Sequence, residues 1–306
     1  MSWRGQEIAA AWGLWLALGG AGCQDQRFVI GNLTPGQGGE GGGGAPERPT
    51  FDAPAAVAEL NSEAREEDPT LTDDLLEIYF MSDREGSRDI WTSRRAGVGS
   101  PWDAPHAAEN INLAESIEDT PCVSGDGLQI WFYSRREPEG IWLAERASRD
   151  DPWGTPAHVD ALAVEGATVM GPHVDPPGLH LVTGVTPADA ETYVAIASRE
   201  RPEDDWSALV PLAGVDGPGD EGGPFLFDGG KQILFRSSRA GGGDLFWARR
   251  ASAEAAFEEA APLEAPVNLP EERDTDPHLS PDGSVLFFAS TRTGVADIYE
   301  ARRLTP

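Results

Sequence analysis

The stretch Asp276-Pro277-His278-Leu279-Ser280-Pro281-Asp282-Gly283, followed by Ser284-Val285-Leu286-Phe287-Phe288-Ala289-Ser290-Thr291-Arg292 and then Asp297-Ile298-Tyr299-Glu300, reads as three short strands. Ser-Pro-Asp-Gly is a tight-turn sequence, because proline presets φ and glycine accepts positive φ. Val285 to Phe288 is a β-branched and aromatic run of strand length, too short for a helix. The same phrase recurs four times upstream. Its opening proline is Pro69, Pro121, Pro172, Pro224 and Pro277, with gaps of 52, 51, 52 and 53 residues.

Four further columns keep that period. The second strand aligns Ile78, Ile130, Leu181, Ile233 and Leu286, and two residues later Phe80, Phe132, Thr183, Phe235 and Phe288. The third strand carries Trp91, Trp142, Tyr193, Phe246 and Tyr299, and a fourth element opens at Phe51, Trp102, Trp153, Trp206 and Phe257. Four short strands per repeat of this length is the signature of a β-propeller blade. A two-sheet sandwich requires no fixed period. The expected fold is therefore all-β: a five-bladed propeller of four-stranded blades. The chain supplies a fourth-strand element first, Phe51 to Leu60, and ends after a third strand, so that segment is expected to pair with Asp297–Arg302 and close the ring. Closure removes open strand edges.

Ser-Pro-Asp-Gly, an aromatic strand, Ser-x-Arg and then Gly-x-x-Asp-Ile-Tyr/Trp resembles the PD40 (WD40-like, TolB-type) propeller repeat. The best matches are Ser82 through Trp91 and Ser290 through Tyr299. The resemblance implies the fold over residues 51–304. In the third blade Val185-Thr186-Pro187 replaces Ser-x-Arg, and Asp175-Pro176-Pro177-Gly178 replaces Ser-Pro-Asp-Gly.

Residues 1–22 read as a signal peptide: a short positive start, then an uncharged apolar run from Ile8 to Gly22. Ala21-Gly22-Cys23 resembles a bacterial lipobox, which implies lipidation of Cys23. Gln24 after the cysteine implies outer-membrane sorting, facing the periplasm or the cell surface. Residues 23–50 are glycine-rich, cannot bury a core and read as a tether; residues 51–306 are the propeller. The chain has 52 Asp and Glu against 23 Lys and Arg, a formal net charge of −29. This balance excludes nucleic acid and anionic membrane surfaces as partners, so membrane contact is expected through the N-terminal lipid only. With Cys23 acylated, Cys122 has no disulfide partner.

The loops entering the inner strands and the turns after the second strands are expected on one face, around the channel mouth. The loops carry Glu66-Glu67-Asp68, Glu118-Asp119, Asp220-Glu221 and Asp274-Thr275-Asp276; the turns carry Arg84, Arg136, Arg239 and Arg292. Asp68, Asp119 and Asp276 are expected to pair bidentately with these arginines and lock neighbouring blades; the alternative is that surplus acids at the channel mouth hold a cation or a basic peptide. Blade three has neither partner. Its Val169 and Met170 are expected either to form an exposed notch bordered by Glu118, Asp119, Asp220 and Glu221, a docking site for an envelope protein or peptide, or to be packed shut in a degenerate blade. Thr70, Cys122, His173, Phe225 and His278 follow the five prolines and are expected near the axis. Two histidines and a thiol suggest metal ligation, but their spacing is not that of a metal motif, so no metal is expected. No catalytic motif and no cofactor loop is present. The expected function is that of a monomeric, lipid-anchored, non-catalytic interaction propeller acting through its channel-mouth face. The alternative is a carbohydrate-binding or carbohydrate-hydrolysing propeller with carboxylates in its channel.

Overall fold

The computed structural model describes residues 48–304. The expected signal peptide, Cys23 and nearly all of the tether lie outside them. The described residues form five four-stranded antiparallel sheets. Blade I comprises Glu66–Leu71 (inner), Glu77–Ser82 (second), Asp89–Arg94 (third) and His106–Ala107 (outer). Blades II, III and IV repeat this order, with inner strands Glu118–Val123, Ala167–Val174 and Glu221–Phe227. Blade V takes Asp274–Leu279, Val285–Ser290 and Asp297–Arg302 from the end of the chain and Ala55–Ala56 from its start. Ala55 pairs with Glu300 and Ala56 with Tyr299, and Phe51 bridges Arg303. The ring is thus closed by an N-terminal outer strand. The only helical element among the described residues is a single 3-10 turn, Asp160–Leu162, and no helix there is long and apolar enough to cross a membrane.

The repeat columns explain the packing. Five apolar clusters form the core, each filling the gap between two neighbouring blades. Second strands are covered on both faces, so every residue of Glu77–Ser82 and of Val285–Ser290 is buried. The opening aromatic of each fourth element lies four residues before its two-residue outer strand. Trp102, Trp153, Trp206 and Phe257 are buried there under Arg95, Arg146, Arg199 and Arg250, at 4.0–4.5 Å from guanidinium to ring. Those arginines also donate to the turn carbonyls of Leu75, Gly127, Gly178 and Gly230. This second arginine column went unread in the sequence.

The Ser-x-Arg arginines bind acids, though not Asp68, Asp119 or Asp276 as expected in blades I, II and V; Asp119 is held by Arg88 instead. Arg84 pairs with Glu66 (3.0 Å), Arg136 with Glu118 (3.0 Å), Arg239 with Glu221 (2.8 Å) and Arg292 with Asp274 (2.7 Å). The acid opens the inner strand, two residues before Asp68 and Asp276, which themselves sit in a bulge of that strand and line the channel. The contact is not a bidentate fork. Nε donates to the serine at 2.8–2.9 Å, and in Arg239 also to Glu221 at 3.2 Å, while Nη2 serves the acid and a carbonyl of the preceding interblade linker, such as Leu60 or Val267. Each guanidinium also lies over two aromatic rings of its blade, Phe80 and Trp91 for Arg84.

The closing segment contributes Phe51, Val57 and Leu60, all buried. Deleting residues 51–60 removes these anchors, at about 2–5 kcal/mol for a large buried side chain. Scanning calorimetry of the deletion should show a melting temperature lower by at least about 10 °C, whereas deleting 24–44 should leave it unchanged. Equal melting temperatures for the two deletions would refute closure by this strand.

Candidate functional site

Every inner strand bulges at the same place. In blade I, Glu67 pairs with Met81 and Thr70 with Tyr79, so Asp68 and Pro69 together oppose Phe80. The other blades repeat the shift, placing Phe132, Thr183, Phe235 and Phe288 opposite their bulges. The residue before each proline adopts positive φ: Asp68 57°, Thr120 48°, Gly171 71°, Gly223 53° and Asp276 56°. A left-handed first residue is what one form of β-bulge needs, and glycine is its usual occupant. At Gly223 the absence of a side chain also matters, since a Cβ would lie 3.0 Å from Oδ1 of Asp276.

These five residues and the prolines after them narrow the channel to a throat of about 40 Å³. The next side chains, Thr70, Cys122, His173, Phe225 and His278, ring the axis as the spacing implies. Burial keeps them uncharged: the Cys122 thiol is pushed up to about 11, and the imidazoles of His173 and His278 are pushed down to about 4 and about 3. Phe225 lies between the two histidines, tilted against His173 with ring centroids 4.2 Å apart and edge-on to His278 at 5.0 Å. Among the described residues, no group of three or more His, Cys, Asp or Glu is placed to hold a metal ion.

At the entry side of the throat, acids gather. Asp68 keeps its proton well above the usual carboxylate range, through burial first and then the charges of Asp276, Asp119 and Glu67. It is hydrogen-bonded to Asp119, which Arg88 clamps at 2.9 Å. Asp276 is raised by burial and by Asp119, against the hydroxyl of Thr275 at 2.6 Å and the charges of Arg236 and Arg273. Glu67 is raised by burial and by Asp276, with Arg273 3.8 Å away.

The expected docking notch in blade three is absent. Without a Ser-x-Arg turn its first two strands run on to eight residues each, pairing Ala167 with Pro187 and Thr168 with Thr186. Val169 is buried opposite Val185, and Met170 is half-buried against the core between blades II and III. The flanking acids are not a free rim either. Glu118 and Glu221 are buried in their arginine pairs, Asp119 holds Arg88, and Asp220 accepts the Thr192 amide at 2.9 Å.

The opposite face opens into a funnel of about 810 Å³. It is bounded by the turns between first and second strands, with inner-strand ends as its floor.

No protein-family model matches this chain, and neither does any curated protein. Solved structures do. A putative TolB from Agrobacterium tumefaciens is 17% identical, covering 81% of this chain and 80% of that one, with a TM-score of 0.50. A family 62 α-L-arabinofuranosidase catalytic domain from Coprinopsis cinerea is 8% identical, over 84% and 96%, at 0.58. A family 117 glycoside hydrolase from Zobellia galactanivorans is 13% identical, over 83% and 90%, at 0.55. At such identities the likeness is one of fold. The chain is a five-bladed β-propeller with an acidic throat.

An acid whose folded pKa exceeds its unfolded one destabilises the fold as pH rises from the unfolded value through the folded one. Asp68→Asn removes that effect and keeps a side chain that tolerates positive φ. The variant should melt higher than wild type by at least about 2 °C near neutral pH. The difference should vanish near about pH 3, where both states hold the proton. A variant that melts lower at neutral pH would show that the Asp68 carboxyl is not in conflict with its neighbours.

Proposed function

We propose that this chain is a non-catalytic interaction propeller of the bacterial cell envelope. It is exported, anchored to the outer membrane by a lipid on Cys23, and receives a basic group of a partner protein at its channel mouth. One observation carries this reading. Asp68 and Asp276 occupy a left-handed bulge position that blades III and IV fill with glycine, and both hold their protons above the usual range. Folding disfavours such residues twice, by backbone conformation and by charge. Acids kept against stability mark a site where something else is gained. A guanidinium or ammonium entering the mouth would relieve their mutual repulsion.

Carbohydrate hydrolysis is the second reading. Its support is the Asp68–Asp119 pair, a proton-holding acid beside a carboxylate clamped by Arg88. Glycoside hydrolysis uses two carboxyl groups in unlike roles. The same fold occurs in a TolB and in glycoside hydrolases, so residues rather than fold must decide. A throat of about 40 Å³ admits about three water molecules, which weighs against a sugar ring passing the prolines.

Capture from envelope extract separates the readings. Wild type should retain a partner that Asp68→Asn with Asp276→Asn loses, and neither protein should hydrolyse a panel of aryl glycosides. Turnover abolished by Asp68→Asn would establish the second reading, and a partner captured equally by both proteins would remove the throat from recognition.

A further inference from the structure

The funnel on the opposite face plays no part in that reading. Its volume of about 810 Å³ lies within the range of ligand sites, roughly 300–1,000 Å³. Its floor is apolar, with Val174 and Phe227 half-buried beside the uncharged imidazoles of His173 and His278. Its rim is acidic. Asp73, Asp126, Asp228 and Asp282, from blades I, II, IV and V, are all exposed along it. Two of them also shape their own turns through one oxygen. Oδ1 of Asp126 accepts from the Ser124 hydroxyl and the Leu128 amide, and Oδ1 of Asp282 accepts from Ser280 and Ser284. Oδ2 of each takes no bond within the described residues. Asp73 reaches across the blade I–II gap and lies over Gly125, where a Cβ would come within 2.3 Å of its carboxyl carbon.

The blade III side is different. Asp175 there is turned inward onto His180 at 2.7 Å, and the exposed wall is Pro176, Pro177 and Pro202. Arg199 on that side donates to the Gly178 carbonyl and lies 4.0 Å over the Trp206 ring, so its charge is directed into its own blade. The funnel therefore offers an apolar floor, an uncharged wall and carboxylates from four blades; Asp228 is shared with Lys231 at 3.9 Å and Gln232 at 3.0 Å, and exposed Arg303 lines the funnel too, which leaves acids in excess.

We propose that this funnel is a second docking site, for an extended segment of another protein in which lysine or arginine alternates with apolar residues. Apolar side chains enter the floor toward Val174 and Phe227. The basic residues between them meet the aspartates of blades I, II, IV and V. Such division, with affinity from an apolar centre and orientation from a charged border, is that of protein recognition surfaces. Alternation suits an extended chain, whose successive side chains point opposite ways.

The test is calorimetric titration of the full chain with a capped Lys-Leu-Lys-Phe-Lys peptide. Two control peptides replace Lys with Glu or the apolar residues with Ser. The first peptide should bind and the controls should not. Asp126→Asn with Asp282→Asn should weaken binding about tenfold, since asparagine oxygen still accepts the turn amides. Phe227→Ala should weaken it as well. Glu109→Gln with Glu115→Gln, two exposed acids away from the funnel, removes the same charge and should leave binding intact. Asp68→Asn should also leave it intact, which separates this site from the throat. Equal loss in the Glu109/Glu115 variant would reduce the effect to net charge. No binding of the first peptide, or binding unchanged in both funnel variants, would overturn the proposal, as would an oligosaccharide competing for the funnel.

Discussion

The fold depends on a guanidinium set among an acid, a serine, a carbonyl and two aromatic rings. In four blades the Ser-x-Arg arginine ties the start of the inner strand to the turn after the second strand. It also ties both to the linker arriving from the previous blade. The acids it neutralises, Glu66, Glu118, Glu221 and Asp274, are at most 1% exposed. A carboxylate so buried is tolerated only with a cation and hydrogen bonds around it. Blade identity is therefore specified by charge as well as by apolar packing. Glu221 has the weakest set: its Oε2 is buried without a partner, whereas in Glu118 that oxygen accepts the Leu113 amide at 2.8 Å. Blade III omits the device and holds by longer strands, with Thr183 bonding the Met170 carbonyl at 2.9 Å in place of the aromatic column.

Below that layer sits the bulge. It turns the residue before each proline into the channel and makes five backbone-equivalent positions with different side chains. Function is most legible where equivalent positions differ, because the fold demands the same of all five. Glycine at two of them satisfies the backbone. Aspartate at two adjacent blades, V and I, adds charge the backbone does not need. The asymmetry makes one sector of the mouth acidic and leaves the sector at Gly171 and Gly223 plain.

The architecture was readable because a propeller repeats, and aromatic columns at a fixed period survive even where one blade diverges. Closure followed from counting outer elements. The ion pairs were legible as residue types but not in register. Glu66 and Asp68 both precede Pro69 at short range, and only the bulge decides that the first faces the arginine and the second the channel. Blade three left two readings open, an exposed notch or a blade packed shut, and the structure shows the second: losing the turn arginine lets the strands extend and bury Val169. The second arginine column, Arg95, Arg146, Arg199 and Arg250, keeps the repeat period and stands ready to be read beside the aromatics it covers. The funnel gave no such signal. Its aspartates lie in turns, where aspartate already has a local backbone role.

The central claim is that arginine and acid act as one unit within a blade, and a double-mutant cycle on Arg136 and Glu118 tests it most directly. Arg136→Met should destabilise by about 3–5 kcal/mol, since it leaves a buried carboxylate unpaired. With Glu118→Gln also present, denaturant unfolding should reveal a coupling of about 1–3 kcal/mol between the sites. Effects that add within about 0.3 kcal/mol would contradict the account, because the two side chains would then stabilise the blade independently.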